Sequence, residues 1–143
     1  MIKKTLTTIG WREIIALPEL NIPSIKAKID TGARTSALHA FHIQEFYLDD
    51  KPMVSFQVHP HQKDTHHTVT AIAELLGYKE VRNSGGHLQN RPVIKTKVEV
   101  NGSSWKIEVT LTNRDLMGFR MLLGRQALRG HFIVDPGRSF LLS

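Results

Sequence analysis

The residues best suited to chemistry are Asp30-Thr31-Gly32, which follow an apolar alternating run. Ile25-Lys26-Ala27-Lys28-Ile29 predicts a strand, so Asp30 is presented at a strand end on a tight turn, a usual place for catalytic groups. Gly32 allows close approach of the backbone, and its N–H can hold the carboxylate in place. Thr31 adds a hydroxyl that can bond across a symmetric partner. An ordinary Asp-Thr-Gly turn has the same residue types, so the tripeptide alone leaves both interpretations open.

A second segment near the C-terminus is Met121-Leu122-Leu123-Gly124-Arg125-Gln126-Ala127-Leu128. It predicts an apolar strand, then Gly-Arg, then a short helix over Gln126-Ala127-Leu128-Arg129 that Gly130 would end. Apolar-Gly-Arg is a weak motif alone. It gains weight because it follows Asp-Thr-Gly-Ala in the same chain.

Together the two motifs resemble those of the retropepsins, the single-domain aspartic proteases typified by retroviral enzymes. The resemblance implies one domain over residues 1–143 with a mostly β fold, a closed acid-protease barrel with one short C-terminal helix. It also implies that the second motif threads beneath the catalytic loop, where a side chain at Gly124 would collide. Gly124 and Arg125 would then be structural supports of the site.

A narrower resemblance covers nearly the whole chain and rests on five segments: Gly10-Trp11-Arg12-Glu13, residues 16–20, 30–40 and 111–115, and residues 121–125. They are similar to a bacterial family often labelled "ATP-dependent zinc protease" and linked with ATP-grasp glutamate ligases that modify a small-subunit ribosomal protein. The family is better described as retropepsin-like. The resemblance therefore implies an aspartic endopeptidase without a cofactor, functionally linked to such a ligase.

An aspartic mechanism needs two carboxylates, whereas the chain contains a single Asp-Thr-Gly. Two carboxylates at hydrogen-bond distance cannot both ionise cheaply, so they hold one proton in common. The ionised carboxylate can take a proton from water while the protonated one polarises the scissile carbonyl. We therefore expect a homodimer in which each subunit supplies Asp30, with Thr31 and Gly32 completing the catalytic motif.

Arg34 departs from the retroviral pattern, in which a second aspartate at that place can pair with the arginine of Gly-Arg. Arg125 must then find another acid, and Asp115 is the candidate. Arg34, with Ala33 beside it, is expected to bind substrate through its planar fork, which suits carboxylates. The formal charge of +6 also favours acidic partners, although a solvated basic surface with no specific role explains the charge alone at least as well. The predicted substrate is an acidic peptide or protein, with a poly-glutamate-bearing protein as the natural candidate.

Asn83-Ser84-Gly85-Gly86-His87 lies between β-type runs, where a retropepsin would carry its flap. Two glycines would give hinge freedom to a flap that excludes water from the substrate. Ser84, Gly85, Gly86 and His87 are therefore candidate substrate-binding residues. A plain loop explains the same residues equally well.

The main alternative is a zinc-dependent hydrolase built on His59-Pro60-His61 with His66-His67. His59 and His61 would share a face of an extended segment, as metal ligands must. The sequence has no His-Glu-x-x-His, no cysteine and no third ligand at a recognisable spacing, which favours solvated loop histidines and no metal ligand. His39 and His42 could bind substrate, although packing is their more ordinary role.

Two binding roles complete the alternatives. A non-catalytic peptide-binding module on the same fold stays open, although binding alone would not require a carboxylate at Asp30. Nucleotide binding lacks a G-x-x-x-x-G-K-[ST] motif. The aromatic residues are spread along the chain without a stacking motif, so no nucleic-acid partner is expected.

The elements that must position these residues are short β-type runs separated by turn signals. Two hairpins are predicted, one turning at Asp49-Asp50-Lys51 between residues 43–48 and 53–58. The other turns at Asn101-Gly102, the pair best able to take the positive φ angles of a type I′ turn. Further strands are predicted over residues 11–17, 132–134 and 140–142.

Composition sets the class of protein. A chain of 143 residues that is 41% hydrophobic can bury a single core. The lack of cysteine excludes disulfides, thiolate zinc sites and a cysteine nucleophile. Thr5, Thr7, Thr8 and Gly10 interrupt the apolar residues of the N-terminus, so neither a signal peptide nor a membrane span is predicted. We expect a soluble, cytoplasmic protein with no membrane partner.

Overall fold

The structure is a computed structural model that describes residues 6–61, 66–83 and 85–142. Its described part is mostly β, as predicted, and contains one short helix. The elements in chain order are β1 (Thr7–Gly10), β2 (Arg12–Leu17), a 3-10 turn (Pro18–Leu20), β3 (Ile22–Asp30), β4 (Ser36–His39), β5 (Phe41–Leu48), β6 (Lys51–Val58), β7 (Val69–Arg82), β8 (Leu88–Val100), β9 (Ser103–Thr112), β10 (Met121–Gly124), α1 (Arg125–Leu128) and β11 (Phe132–Asp135).

Nine strands form one sheet in the order β2-β3-β10-β4-β9-β8-β7-β6-β5, and β1 pairs with β11 in a second, two-stranded sheet. β2, at one end of that order, also pairs with β8 through a single residue pair, Ala16 with Glu99. The series from β2 to β8 therefore returns on itself at this pair. β7, β6 and β5 extend away from it. No helix in the described ranges is long and apolar enough to cross a membrane.

The core follows from strand alternation. In β3, Ile25, Ala27 and Ile29 are buried, while Lys26 and Lys28 are only partly covered. Burial of such aliphatic side chains contributes about 1.5–3 kcal/mol each for Val, Leu or Ile. This burial fixes the face of β3, and so fixes where its last residue, Asp30, emerges.

Both predicted hairpin turns are confirmed. Asp49 and Asp50 have φ of 50° and 64°, and Asn101 and Gly102 have φ of 51° and 80°. Each pair joins strands whose last and first residues are partners in the sheet. Positive φ at both central positions is the type I′ geometry that matches the twist of the strands.

The C-terminal segment corrects one prediction. Residues 140–142 do not form a strand: the N–H of Phe140 donates to the carbonyl of Arg12, and the next two N–H groups donate to the buried carboxylate of Glu13. The N–H groups of Leu141 and Leu142 donate to Glu13 at 2.8 and 3.1 Å, and that of Gly10 donates at 2.8 Å. Glu13 is fully buried, and these bonds give both of its carboxylate oxygens hydrogen-bond donors. The predicted helix is present, one residue earlier than expected, as α1.

Candidate active site

The carboxylate of Asp30 is held by its own loop at the end of β3. Asp30 is partly buried, and its Oδ1 accepts the N–H of Gly32 at 3.0 Å. A Cβ placed on Gly32 would lie 3.2 Å from that same oxygen. Gly32 thus supplies a donor and leaves space for the carboxylate, the two features inferred from the motif.

The loop rests on the start of the second motif. β10 runs parallel to β3 with Gly124 opposite Asp30, and it pairs with β4 on its other side. The N–H of Arg125 donates to the carbonyl of Ala33 at 2.8 Å, and that of Gly124 donates to the buried hydroxyl of Ser36 at 3.1 Å. These bonds tie the loop to β10.

The expected close packing at Gly124 is present. A Cβ there would lie 2.6 Å from the backbone carbon and oxygen of Thr35 and 2.9 Å from the carbonyl oxygen of Ala33. Backbone atoms cannot move aside as a flexible side chain can. Glycine is therefore the residue that lets β10 pass beneath the Asp30 loop.

Arg125 corrects the prediction of an acidic partner. Its Nη1 donates to the carbonyl oxygens of Thr31 and Gly32, at 3.3 and 3.2 Å. Asp115, the expected partner, instead accepts the N–H of Gly118 at 3.1 Å and closes a turn of its own. Backbone carbonyls of the Asp30 loop lie closer to Arg125 than any carboxylate does within the described ranges. The guanidinium therefore clamps the loop without an ion pair.

A cleft of about 630 Å³ opens beside Asp30. Its floor includes Ala33, Ala37, Leu116 and Leu122, a small apolar cluster separate from the main core. Its charged lining residues are Asp30, Glu80 and Asp115 against Arg34, Lys79, Arg82 and Arg91. The cleft thus combines an apolar floor with more cations than anions, and it has room for several side chains of a peptide.

The far wall of the cleft is the distal hairpin, which we define as residues 77–83 and 85–92. A bulge separates it from the rest of β7, where the register shifts between Leu75 and Gly77 and Gly77 has φ of 147°. β7 pairs with β6 only up to Glu74, and β8 pairs with β9 only from Val93. Within the described residues, the two strands of the distal hairpin therefore pair with each other alone.

The tip of this hairpin is a bonded turn. Asn83 Oδ1 accepts the N–H groups of Gly85 and His87 at 2.9 and 3.0 Å, and Arg82 donates to the carbonyl of Gly86. Of the predicted substrate-binding residues, Ala33 and Arg34 line the cleft, whereas Gly85, Gly86 and His87 lie beyond it. Ser84 lies outside the described residues. Gly77 in the bulge is better placed as a hinge than the tip glycines, because they are tied into this turn.

The histidine cluster of the zinc alternative lies away from this cleft. His59 Nδ1 is 3.2 Å from both the carbonyl oxygen of His67 and the hydroxyl of Thr68, and the rings of His61 and His67 are 5.2 Å apart. Among residues 6–61, 66–83 and 85–142, no three histidine or carboxylate side chains are grouped so as to hold a metal ion. The cluster contributes to packing and loop bonding in the described structure.

His39 and His42 do not line the cleft either. His42 Nδ1 is 2.8 Å from Gln57 Oε1. Burial, with a smaller effect of the Arg120 charge, lowers the pKa of His39. His39 is thus partly buried away from the cleft, whereas His42 is exposed and contacts Gln57.

Two residues of consequence were not singled out in the sequence. Glu13 anchors the C-terminal segment, and Arg91 is a nearly buried cation in the cleft wall. A signal existed for both, because each occupies an inward position of an alternating strand, beside Ile15 in β2 and Val93 in β8. A charged residue at such a position is an unusual feature in need of an explanation.

Comparison with known proteins gives a family. A family model described as RimB-like, retropepsin-like aspartic endopeptidase RimB, matches residues 8–143. The retropepsin-like family predicted from the two motifs is thereby confirmed. A Legionella pneumophila protein described as having unknown function (DUF785) has a solved structure with a TM-score of 0.82. It shares 27% identity, over 97% of this chain and 100% of that one.

Curated relatives carry a different name. A protein named probable alpha-L-glutamate ligase from Shewanella halifaxensis is 42% identical over 134 residues, and one of the same name from Desulfotalea psychrophila is 46% identical over 128 residues. These matches cover 94% and 90% of this chain but only 29% and 28% of the relatives. The chain thus corresponds to less than a third of each ligase-named protein.

Proposed function

Since the chain belongs to the RimB-like family of retropepsin-like aspartic endopeptidases, we propose that it is an aspartic endopeptidase that works as a homodimer on an acidic substrate. The observation that carries the proposal is the way in which the Asp30 loop is supported, and we call this support the seat of Asp30. Its carboxylate is bonded to Gly32, its loop is clamped by Arg125, and that loop rests on Gly124 at the end of a cleft. The bond to Gly32 is also found in an ordinary turn, between Asp135 and Gly137, but the clamp by Arg125 and the packing at Gly124 are additional supports of the Asp30 loop.

The proposed reaction uses two Asp30 carboxylates that share one proton across a two-fold axis. The ionised carboxylate takes a proton from the attacking water, and the protonated one donates to the scissile carbonyl oxygen. Proton sharing requires the two groups to keep a fixed separation. The bonds that Gly32, Arg125 and β10 make with the loop supply that rigidity in each subunit.

The surface beside the loop supports the dimer. Thr31 and Arg125 line a second, shallow cavity of about 370 Å³ together with Leu128, Phe132 and Val134. Ile133, in the adjoining β11, is 55% exposed. The apolar lining of this cavity, next to an incomplete catalytic site, suits contact with a second copy of the chain, whereas Ile133 lies on the opposite face of β11 from Phe132 and Val134. The closed barrel implied by the family belongs to the same proposal, and the pair Ala16–Glu99 supports it.

The substrate class is supported by the charges of the cleft and by the names of the relatives. Arg34, Lys79, Arg82 and Arg91 outnumber the acids of the cleft, so a carboxylate-rich segment would be attracted. The ligase-named relatives contain a region similar to this chain within a longer protein. We propose that the substrate is a protein bearing added glutamates, and that this chain acts in concert with a glutamate ligase.

The test is Asp30→Asn, assayed on Glu-rich peptides by mass spectrometry. Asparagine keeps the shape of the side chain but can neither share the proton nor accept one from water. We expect hydrolysis to fall to background while the circular dichroism spectrum and the mass in solution stay those of the wild type. Retained hydrolysis by the purified variant would refute the aspartic mechanism.

A further inference from the structure

Arg91 is a buried cation in the wall of the cleft. Arg91 is only 4% exposed, yet it lines the same cavity as Asp30. No carboxylate lies within ion-pair distance of its guanidinium among the residues that the structure describes. Burial, with a smaller effect of the neighbouring Arg114 charge, lowers the pKa of Arg91. A guanidinium stays charged in proteins, so this position is costly unless an anion joins it.

The guanidinium is held in place from one side only. Its Nε donates to Gln89 Oε1 at 2.9 Å, and the hydroxyl of Thr112 donates to the same oxygen at 2.7 Å. Thr112 in turn accepts the N–H of Arg114 at 3.1 Å. The two terminal nitrogens of Arg91 have no protein partner among the described residues, yet they are not sealed from solvent. Since Arg91 lines the cleft, these nitrogens are available to a group that enters it.

The surroundings indicate the shape of that group. The apolar floor of Ala33, Ala37, Leu116 and Leu122 lines the same cleft as Arg91. A side chain with an aliphatic stem and a terminal carboxylate could pack its methylenes on the floor and present its oxygens to the guanidinium fork. An arginine with two free terminal donors binds such a carboxylate in bidentate fashion.

We propose that Arg91, positioned by Gln89, forms a subsite with this apolar floor for one carboxylate-bearing side chain of the substrate. The proposal rests on the proposed function and deepens it. It makes Arg91 a stronger determinant of acidic specificity than Arg34, because Arg34 is exposed and its contacts are weakened by water. The uncompensated charge is then a feature that serves binding at the expense of stability.

The experiment compares two peptides that differ by one Glu or Gln flanking the scissile bond, with the homodimeric wild type, Arg91→Met and Arg91→Lys. Lys95→Gln is the control, because it removes one positive charge from the same strand at an exposed position outside the cleft. We expect Arg91→Met to lower kcat/KM for the Glu peptide by roughly ten- to hundred-fold, the usual effect of a charged hydrogen bond. The Gln peptide should change less than about twofold, and Arg91→Lys should fall between.

The Tm of Arg91→Met distinguishes a role of Arg91 in substrate binding from a role in stabilising the fold. If Arg91 serves the substrate, removing its unpaired charge should raise the Tm of Arg91→Met by about 2–4 °C. Equal loss of activity on both peptides together with a lower Tm would assign Arg91 a structural role and overturn the proposal. An unchanged preference for Glu over Gln would overturn it as well.

Failure of the proposed function would be recognised separately. If the wild type cleaves neither peptide, the peptidase assignment fails, and fluorescence anisotropy of the labelled peptides then decides the subsite. Binding of the Glu peptide that is about tenfold weaker in Arg91→Met than in wild type supports the subsite. Equal binding by the two proteins overturns it.

Discussion

The seat of Asp30 and the distal hairpin face each other across one cleft, but they are built differently. The seat is bonded through backbone atoms of several segments, with Gly124 packed against the carbonyl groups of Ala33 and Thr35. The distal hairpin pairs only with itself in the described structure, and side chains such as Gln89 link it to its surroundings. A two-stranded hairpin alone is only marginally stable in water. The carboxylate of Asp30 is therefore firmly held, whereas the wall that carries Lys79, Arg82 and Arg91 has fewer backbone ties to the rest of the molecule.

Of the effects expected in this comparison, the largest comes from a change in the rigid seat of Asp30. Gly124→Ala places a Cβ within 2.6 Å of the backbone of Thr35, so the loop or β10 must shift. We expect a loss of about 1–3 kcal/mol in the free energy of unfolding, typical of overpacking. Peptide hydrolysis should fall by roughly a hundredfold, since misplacing a catalytic group by about an ångström has that effect. Urea unfolding and peptide kinetics measure the two quantities.

Gly137→Ala is the matched control for that substitution. The nearest atom to a Cβ at Gly137 is a side-chain oxygen of Asp135 at 3.6 Å, an ordinary contact. This variant should retain the stability and activity of the wild type. If Gly124→Ala had the same stability and activity as Gly137→Ala, the close packing at Gly124 would not be needed for the reaction.

A smaller effect is expected from a change in the bulge at the base of the distal hairpin. Gly77→Ala introduces a side chain where φ is 147°, a conformation that L residues rarely adopt, although the space around it is open. We expect the geometry of the bulge to change and kcat/KM to fall by roughly tenfold, with kcat and KM affected together as for a hinge. The free energy of unfolding should fall by about 1–2 kcal/mol or less. Loss of activity only in proportion to unfolded protein would contradict the hinge.

The smallest expected effect is on thermal stability at acidic pH. Burial lowers the pKa of His39, in the strand that pairs with β10, from the ordinary value of 6.5. The unfolded chain then binds the proton more readily, so this contribution to stability is present above about pH 6.5 and is lost as pH falls through the folded-state pKa. His39→Gln should weaken the decline of Tm between pH 7 and 5. An identical decline in wild type and variant would contradict this origin.

Local patterns were enough to predict much of the fold and part of the site. The alternation before Asp30 and the turn chemistry of Asn101-Gly102 are properties of a few neighbouring residues, and both structures formed as expected. The resemblance to retropepsins carried by the two motifs implied that Gly124 would lie beneath the loop, and the close backbone contacts at Gly124 agree with it.

The remaining features depend on contacts between distant segments. Residues 140–142 have a strand-like composition, but the carboxylate of Glu13 in β2 accepts the N–H groups of Leu141 and Leu142. Arg125 donates to two backbone carbonyls of the Asp30 loop. Backbone partners of this kind leave no acidic residue in the sequence by which they could be predicted. The burial of Arg91 beside Gln89 and Thr112, with no carboxylate within ion-pair distance among the described residues, arises only in the folded chain, so the sequence shows an arginine but not its missing counter-ion.

The central claim, that each active site uses one Asp30 from each of two subunits, is tested most directly by mixing. Wild type and Asp30→Asn are equilibrated at equal concentrations, and hydrolysis of a Glu-rich peptide is measured against wild type alone at the same total concentration. Random exchange into dimers predicts about a quarter of the wild-type rate, because only wild-type homodimers hold two carboxylates. About half of that rate would show that each subunit acts independently and would contradict the shared active site.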